Sequence, residues 1–202
     1  MINRIVLASG NRGKLKEFND ILAPLQVSVV PQSDFAVREA EETGLSFVEN
    51  AIIKARNACR ATGLPALADD SGLEVDALRG GPGIYSARYA GEGASDEDNN
   101  LKLLQALAEI PDAERSARFR CVLVFMRHAE DPTPLICQGS WEGRILRQPC
   151  GTNGFGYDPL FLVPELNCAS AELSPEQKHA RSHRGQAVRQ LLDRIEPYLA
   201  RS

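Results

Sequence analysis

Strand-sized apolar runs closed by glycine turns alternate along this 202-residue chain with stretches of helical periodicity. That alternation leaves a mixed α/β protein and little else. Residues 4–8 (RIVLA) stop at Ser9-Gly10-Asn11, a buried strand running into a turn. Leu15, Phe18, Ile21 and Leu22 then recur at helical spacing from about Lys14, and residues 26–30 (QVSVV) read as a second strand, so the chain opens β-α-β. Ser46 and Glu49 make a capping box for a helix with Phe47, Ala51, Ala55 and Ala58 on one face. Residues 66–77 hold two short strands around Asp69-Asp70-Ser71-Gly72. A Gly-rich loop over 79–94 leads to a helix at 96–109 with Leu101, Leu104, Leu107 and Ala108 inward. Residues 118–127 and 134–147 read as antiparallel neighbours, and a short strand near 160–163 follows a glycine turn. Ser174 with Pro175 starts a helix, and a last one over about 184–200 buries Val188, Leu191, Leu192, Ile195 and Leu199. No repeat or low-complexity tract interrupts residues 1–202, which are expected to form one folded unit.

Composition sets the surroundings. A hydrophobic share of 43% and a charged share of 25% are ordinary for a globular protein and exclude disorder. Apolar runs such as 5–8 and 122–126 are too short to span a bilayer, and residues 1–8 leave no room for a signal-peptide core before Arg12 and Lys14. A cytoplasmic protein without a membrane partner is expected. A net charge of −4 disfavours a nucleic-acid partner, although a locally positive pocket can still take an anionic small molecule. The five cysteines, at 59, 121, 137, 150 and 168, contain no CxxC pair and read as buried reduced thiols.

Four segments carry the residue types of chemistry. In Ser9-Gly10-Asn11-Arg12-Gly13-Lys14, a glycine turn frees backbone N–H groups, a helix start adds positive dipole and Lys14 adds a full charge. That combination suits a polyphosphate, and an ordinary strand-to-helix turn with a surface lysine has the same signature. It is not a Walker A loop, since Ala8 stands where Gly is required and Leu15 where Ser or Thr is. Asp69 and Asp70 can offer oxygen ligands to a hard cation, with the acidic run Glu39, Glu41, Glu42 as a further source; a capped turn and a solvated face account for the same residues. Gly154-Phe155-Gly156-Tyr157-Asp158 sets aromatics between small residues, as a flat ring against a base requires, or as a ligand-free aromatic turn would. Lys178 and Ser182-His183-Arg184-Gly185 fall at the junction of two helices. Asp96-x-Asp98-x-Asn100 mimics the opening of an EF-hand, but Leu101 and Leu107 occupy positions that need Gly and Glu.

The order of the segments is more telling than any one of them. SGNRGK, SFVENAIIKA, ADDSGLEVDAL, GGPGIYSARYAG, GTNGFGYDPLF and AELSPEQKHARSHRG together closely resemble the inosine/xanthosine triphosphate pyrophosphatase family, from Ile5 to Leu192. Ser9 stands where Thr is common in that family, which keeps a hydroxyl. The resemblance implies a long, twisted, mixed sheet flanked by helices, in two lobes with a nucleotide cleft between them. It implies a purine nucleoside triphosphate as substrate, Mg2+ as cofactor and, for the bacterial branch, a homodimer. Residue by residue, it gives Ser9 to Lys14 and Lys54 to the phosphates, Asp70 to catalysis and the metal, and Glu42 to the metal. Ser71 becomes a substrate contact, and Phe155, Gly156, Tyr157, Asp158, Lys178, His183 and Arg184 the nucleoside pocket.

The reaction implied is hydrolysis of dITP, ITP, XTP or dXTP to the monophosphate and pyrophosphate. A triphosphate repels an anionic nucleophile, so positive charge and preorganised donors must carry much of the catalysis. Arg184 and Lys178 offer only donors and so match a 6-oxo purine and mismatch a 6-amino one. The related septum-inhibitor-type nucleotide pyrophosphatases carry Ser-x-Ser-Pro-Arg-Arg in the first loop, where this chain has SGNRGK. A binding protein without catalysis would lack a metal carboxylate, and Asp70 and Glu42 are both present.

Overall fold

A computed structural model describes residues 2–200. Its strands are β1 (Arg4–Leu7), β2 (Ser28–Pro31), β3 (Ala66–Val75), β4 (Ser116–Met126), β5 (Leu135–Ile145), β6 (Phe161–Val163) and β7 (Cys168–Ala169). They form one sheet in the order β2-β1-β3-β4-β5-β6-β7. The sheet is mixed: β1 is parallel to β2 and β3, whereas β6 is antiparallel to β5 and β7. The α-helices are α1 (Arg12–Leu22), α2 (Phe47–Thr62), α3 (Asp96–Ala106), α4 (Pro175–Arg181) and α5 (His183–Leu199). The chain divides into two compact units, one comprising the residues up to Asp70, Val122–Gln138 and the stretch from Ala187, the other Ser71–Cys121 and Gly139–Gln186.

The first unit buries Ile5, Val6 and Leu7 of β1, Phe18 and Leu22 of α1, and the alanine stripe Ala51, Ala55 and Ala58 of α2. Side chains as short as alanine let a helix lie close to the strand it packs on, and α2 packs on β1. Burial of each large apolar side chain contributes roughly 1.5–3 kcal/mol. Asn19 ties α1 to β2, donating to Val29 O at 2.8 Å and accepting from Val29 N at 2.9 Å. Such a bridge leaves neither buried group unpaired.

The second unit has an aromatic core. Phe119 lies 4.5 Å from Phe161 and 6.5 Å from Trp141 between ring centroids, with Leu73, Leu103, Leu107 and Tyr157 around them. Within it Arg115 is buried and donates to the carbonyls of Leu107 (2.7 Å), Ile145 (2.9 Å) and Leu146 (2.9 Å). One guanidinium therefore joins the end of α3 to the end of β5.

Strand β5 has a second kind of partner. The sheet register pairs Arg144 with Leu162 and Ile145 with Phe161. Lower on the strand, side chains of α5 take the backbone groups that face the same way. Gln186 donates to Ser140 O at 2.7 Å, Gln190 donates to Gln138 O at 2.8 Å and accepts from Gln138 N at 3.1 Å, and Arg194 donates to Ile136 O at 3.1 Å. Residues four apart on a helix thus serve backbone groups two apart on a strand.

The structure departs from the sequence reading at several points. Residues 66–75 form one continuous strand, not two, because Asp69 and Asp70 each pair with a lysine and do not turn the chain. Helix α1 starts at Arg12, since Asn11 caps it by accepting from Gly13 N and Lys14 N. On α3 the inward face carries Asn99, Leu103 and Leu107, while Leu101 is 57% exposed. Asn99 is at home there because it accepts from Ala90 N at 2.7 Å and donates to Ala87 O at 3.3 Å. All five cysteines are free, but Cys150 is exposed and Cys168 only partly covered. Among the described residues no helix is long and apolar enough to cross a membrane.

Candidate active site

Adjacent strand residues point to opposite faces, so Asp69 and Asp70 find different partners. The Asp69 carboxylate, 1% exposed, receives the Lys14 ammonium from α1 at 2.6 Å. Asp70 Oδ1 receives the Lys54 ammonium from α2 at 2.9 Å, and the same ammonium lies 2.8 Å from Glu42 Oε1. Ser9, Gly10, Lys14, Glu42, Lys54 and Asp69 line one cavity of about 160 Å3. Two lysines and three acids from separate stretches of the chain therefore converge within the first unit.

Burial raises the Asp70 carboxyl, and although Lys54 opposes this, it stays above its ordinary value. Burial alone would lower the Lys54 ammonium, but Asp70 and Glu42 beside it outweigh that and hold it above its ordinary value. Asp70 Oδ2 is buried with no hydrogen-bond partner among the described residues. A buried acceptor left unpaired costs about 1–3 kcal/mol, more when charged. It is an oxygen in want of a cation or a proton. Among the described residues no three His, Cys, Asp or Glu side chains gather into a cage, yet Asp70 and Glu42 already share one cation through Lys54. One or two carboxylates completed by water and phosphate oxygens are the usual surroundings of Mg2+, so these residues fit that ion.

The loop before α1 uses part of its own donor capacity. Asn11 N donates to Ser9 Oγ at 3.2 Å, and Gly13 N and Lys14 N donate to Asn11 Oδ1 at 2.8 and 3.1 Å. The expectation of free amides thus holds less well than that of a charged Lys14 at the cavity. Arg12 is exposed. Ser71, the next residue after Asp70, is exposed on β3.

In the second unit the turn over residues 154–158 is wrapped around one carboxylate. Asp158 is buried, and it accepts from Phe155 N at 2.9 Å, from Ser170 Oγ at 2.8 Å and from the Lys178 ammonium. Gly154 has φ +81°, and a Cβ there would overlap the Asp158 carboxylate, so only glycine fits. Gly156 is held from both sides, its carbonyl accepting from Asn100 Nδ2 at 2.8 Å and its N–H donating to Asp96 at 2.6 Å. The outcome is a presented ring: Phe155 is 77% exposed, with the Lys178 ammonium 5.0 Å from its centroid. Tyr157, expected at the nucleoside pocket, is an anchor whose buried ring joins the core and whose hydroxyl donates to Ser86 O at 2.8 Å.

At the α4–α5 junction the His183 ring stacks on Phe119 at 5.0 Å and 18°. Burial, helped by the charges of Lys178 and Arg184, pushes the imidazole down to about 3, so it is neutral at any physiological pH. Ser182 is buried; it accepts from Gly185 N at 3.1 Å and holds the first turn of α5. Arg184 follows directly.

A sequence model of the Ham1 family matches residues 5–194. The chain belongs to the Ham1 family. It is similar to the dITP/XTP pyrophosphatase of Vibrio cholerae serotype O1, 63% identical over 195 residues that cover 96% of this chain and 98% of the relative. The dITP/XTP pyrophosphatase of Thioalkalivibrio sulfidiphilus is 61% identical over 193 residues, covering 96% and 98%. Among solved structures, a HAM1 protein from Coxiella burnetii superposes with a TM-score of 0.94 at 53% identity, covering 98% of this chain and all of that one. The mixed α/β fold read from the motifs is thus the fold of Ham1 proteins.

The first unit brings together Ser9, Gly10, Lys14, Glu42, Lys54 and Asp70; the second brings together Phe155, Gly156, Asp158 and Lys178, with His183 stacked on Phe119. Sequence reasoning missed Asp96 and Asn100, set aside as a false EF-hand, which in fact pin Gly156. Their i, i+4 spacing at the start of a helix was the available signal. It also missed Asp69 as the buried partner of Lys14.

Proposed function

We propose that this Ham1 protein is a nucleoside-triphosphate pyrophosphohydrolase that cleaves dITP, ITP, XTP and dXTP between the α and β phosphates, clearing deaminated purines from the nucleotide pool. The observation that carries the reading is the cluster of Lys14, Lys54, Asp69, Asp70 and Glu42 at a strand-to-helix loop, in a chain about 60% identical to dITP/XTP pyrophosphatases over nearly its full length. Water adds to phosphorus, the P–O bond to the leaving pyrophosphate breaks, and the monophosphate remains. Lys14 and Lys54 offset the charge of the phosphates, as preorganised cations do best in a partly buried site. Asp69 keeps Lys14 at the cavity. Asp70 and Glu42 would hold Mg2+, which when bound neutralises phosphoryl oxygens and orients water. Ser71 contacts the substrate beside Asp70.

Phe155 offers a flat face to the purine, and Lys178, fixed by Asp158, and Arg184 donate to its oxygens. His183 is neutral and stacked, so its contribution is a fixed surface and not a charge. We read the working protein as a cytoplasmic homodimer, as the family resemblance implies; light scattering tests the assembly. The activity itself is tested by incubating the protein with dITP, XTP, ATP and dTTP, with and without Mg2+, and measuring pyrophosphate. Release from dITP and XTP that needs Mg2+ is expected. Equal release from ATP, or release indifferent to metal, overturns the reading.

A further inference from the structure

The backbone carrying His183 and Arg184 is gripped at one place by β5. A Cβ on Gly139 would overlap the His183 carbonyl oxygen, come within 2.8 Å of its carbonyl carbon and 3.0 Å of Gln186 Cβ. One residue on, Gln186 donates to Ser140 O at 2.7 Å and accepts from Ser140 N at 3.4 Å, and the same amide donates to Arg181 O at 3.0 Å. A single side chain therefore links the last residue of α4, the first turn of α5 and the strand beneath them. The His183 ring is held by stacking on Phe119, a residue of the aromatic core. Arg184 is the next residue of the same backbone, so a shift of the junction carries it along.

We infer that Gly139 and Gln186 are positioning residues that set the purine-reading segment, and with it the preference for 6-oxo over 6-amino bases, without touching the base. This rests on the reading above, in which Arg184 donates to the purine. A displacement of about 1 Å in a positioning group can cost on the order of a hundredfold in rate. The effect falls on the substrate whose oxygen is being met; a 6-amino purine makes no such contact and has little to lose.

The molecule supplies its own control. Gln190 is fixed to Gln138 by the same pair of backbone hydrogen bonds, at 2.8 and 3.1 Å, one helical turn farther from Arg184. Gln186→Met and Gln190→Met keep side-chain length and delete the amide. Steady-state kcat/KM for dITP and dATP, with Tm for each variant, is the measurement. Gln186→Met should lower kcat/KM for dITP at least tenfold and hardly change dATP, narrowing their ratio, whereas Gln190→Met should lose comparable Tm and keep the ratio. Gly139→Ala should narrow the ratio as Gln186→Met does. Should Gln186→Met fail to fold, Gln186→Glu, which retains the acceptor for Ser140 N and loses both donations, should narrow the ratio in part. Equal effects at 186 and 190, or an unmoved ratio in both Gly139→Ala and the position-186 variant that folds, overturn the inference. Arg184→Ala separates the two levels. An unmoved ratio there overturns the reading of the base on which the inference rests; a narrowed ratio there with an unmoved one at 186 and 139 overturns the inference alone.

Discussion

The lysine–carboxylate cluster of the first unit and the aromatic turn of the second are built in opposite ways. In the first, side chains from β3, α1, α2 and the loop before α2 find one another by charge, and the backbone only delivers them. In the second, the backbone is the device: Gly154 at φ +81°, Gly156 pinned on both sides and Asp158 inside the turn fix a ring that itself makes few contacts. The first should therefore be sensitive to changes of charge and tolerant of small changes of shape. The second should be sensitive to small changes of shape even where no charge is altered.

The largest break in that contrast is expected from Asp70→Asn. The substitution keeps shape and removes the charge facing Lys54 and the metal position. A loss of turnover of roughly 10²–10³, or about 2.7–4 kcal/mol, is expected by analogy with removal of one key electrostatic group. Tm should stay close to that of the parent, and pyrophosphate release with a thermal melt checks both. Near-parental turnover would remove Asp70 from the chemistry.

Lys14→Ala comes next. A charged hydrogen bond contributes about 1.5–3 kcal/mol, so triphosphate binding should weaken roughly ten- to a hundredfold. Binding of inosine monophosphate, which lacks the distal phosphates, should change far less. Competition by the monophosphate, compared between variant and parent, decides it; equal losses would show that Lys14 does not sense the phosphate chain.

On the other side of the contrast, Gly154→Ala adds no charge and one methyl group, yet it forces a residue with a Cβ into a left-handed conformation against Asp158. Strain of about 1–3 kcal/mol should loosen the turn and raise KM for dITP about tenfold, with kcat much less affected. A matched fall in kcat would mean that this turn belongs to the chemistry and not to base binding.

The last effect bears on stability and leaves turnover at neutral pH untouched. An imidazole held at about 3 in the folded state and near 6.5 in the unfolded chain stabilises the fold fully above pH 6.5. That contribution is lost as pH falls from 6.5 towards 3, by at most about 1.4 kcal/mol per pH unit. Melting curves of the parent should fall across this window more steeply than those of His183→Phe, which keeps the stacking ring. Parallel curves would show that His183 titrates normally.

The same contrast explains what could be read in advance. The face of α2 was legible because Phe47, Ala51, Ala55 and Ala58 are all apolar and all inward, so period and burial agree. The face of α3 was not, because Asn99 occupies an inward position and its satisfaction depends on Ala87 and Ala90. Asp69-Asp70-Ser71-Gly72 has the composition of a turn; that it stays extended depends on lysines 55 and 16 residues away in sequence. Arg115 could not be placed inside by residue type, since arginine is seldom fully buried; three carbonyls at element ends make it so. Motif order located the site residues. Which of them touch, and which merely hold others, depends on contacts distant in sequence.

The α5 side chains on β5 bear on how the protein is made. Ser140, Gln138 and Ile136 are synthesised 46, 52 and 58 residues before the side chains that cover them. At about 5–20 residues per second, translation leaves that stretch of strand uncovered for roughly 2–12 seconds. An uncovered strand edge is a template for pairing with another chain. During that interval the nascent protein carries an aggregation hazard that the finished one does not, and a ribosome stalled between Ser140 and Gln186 would prolong it.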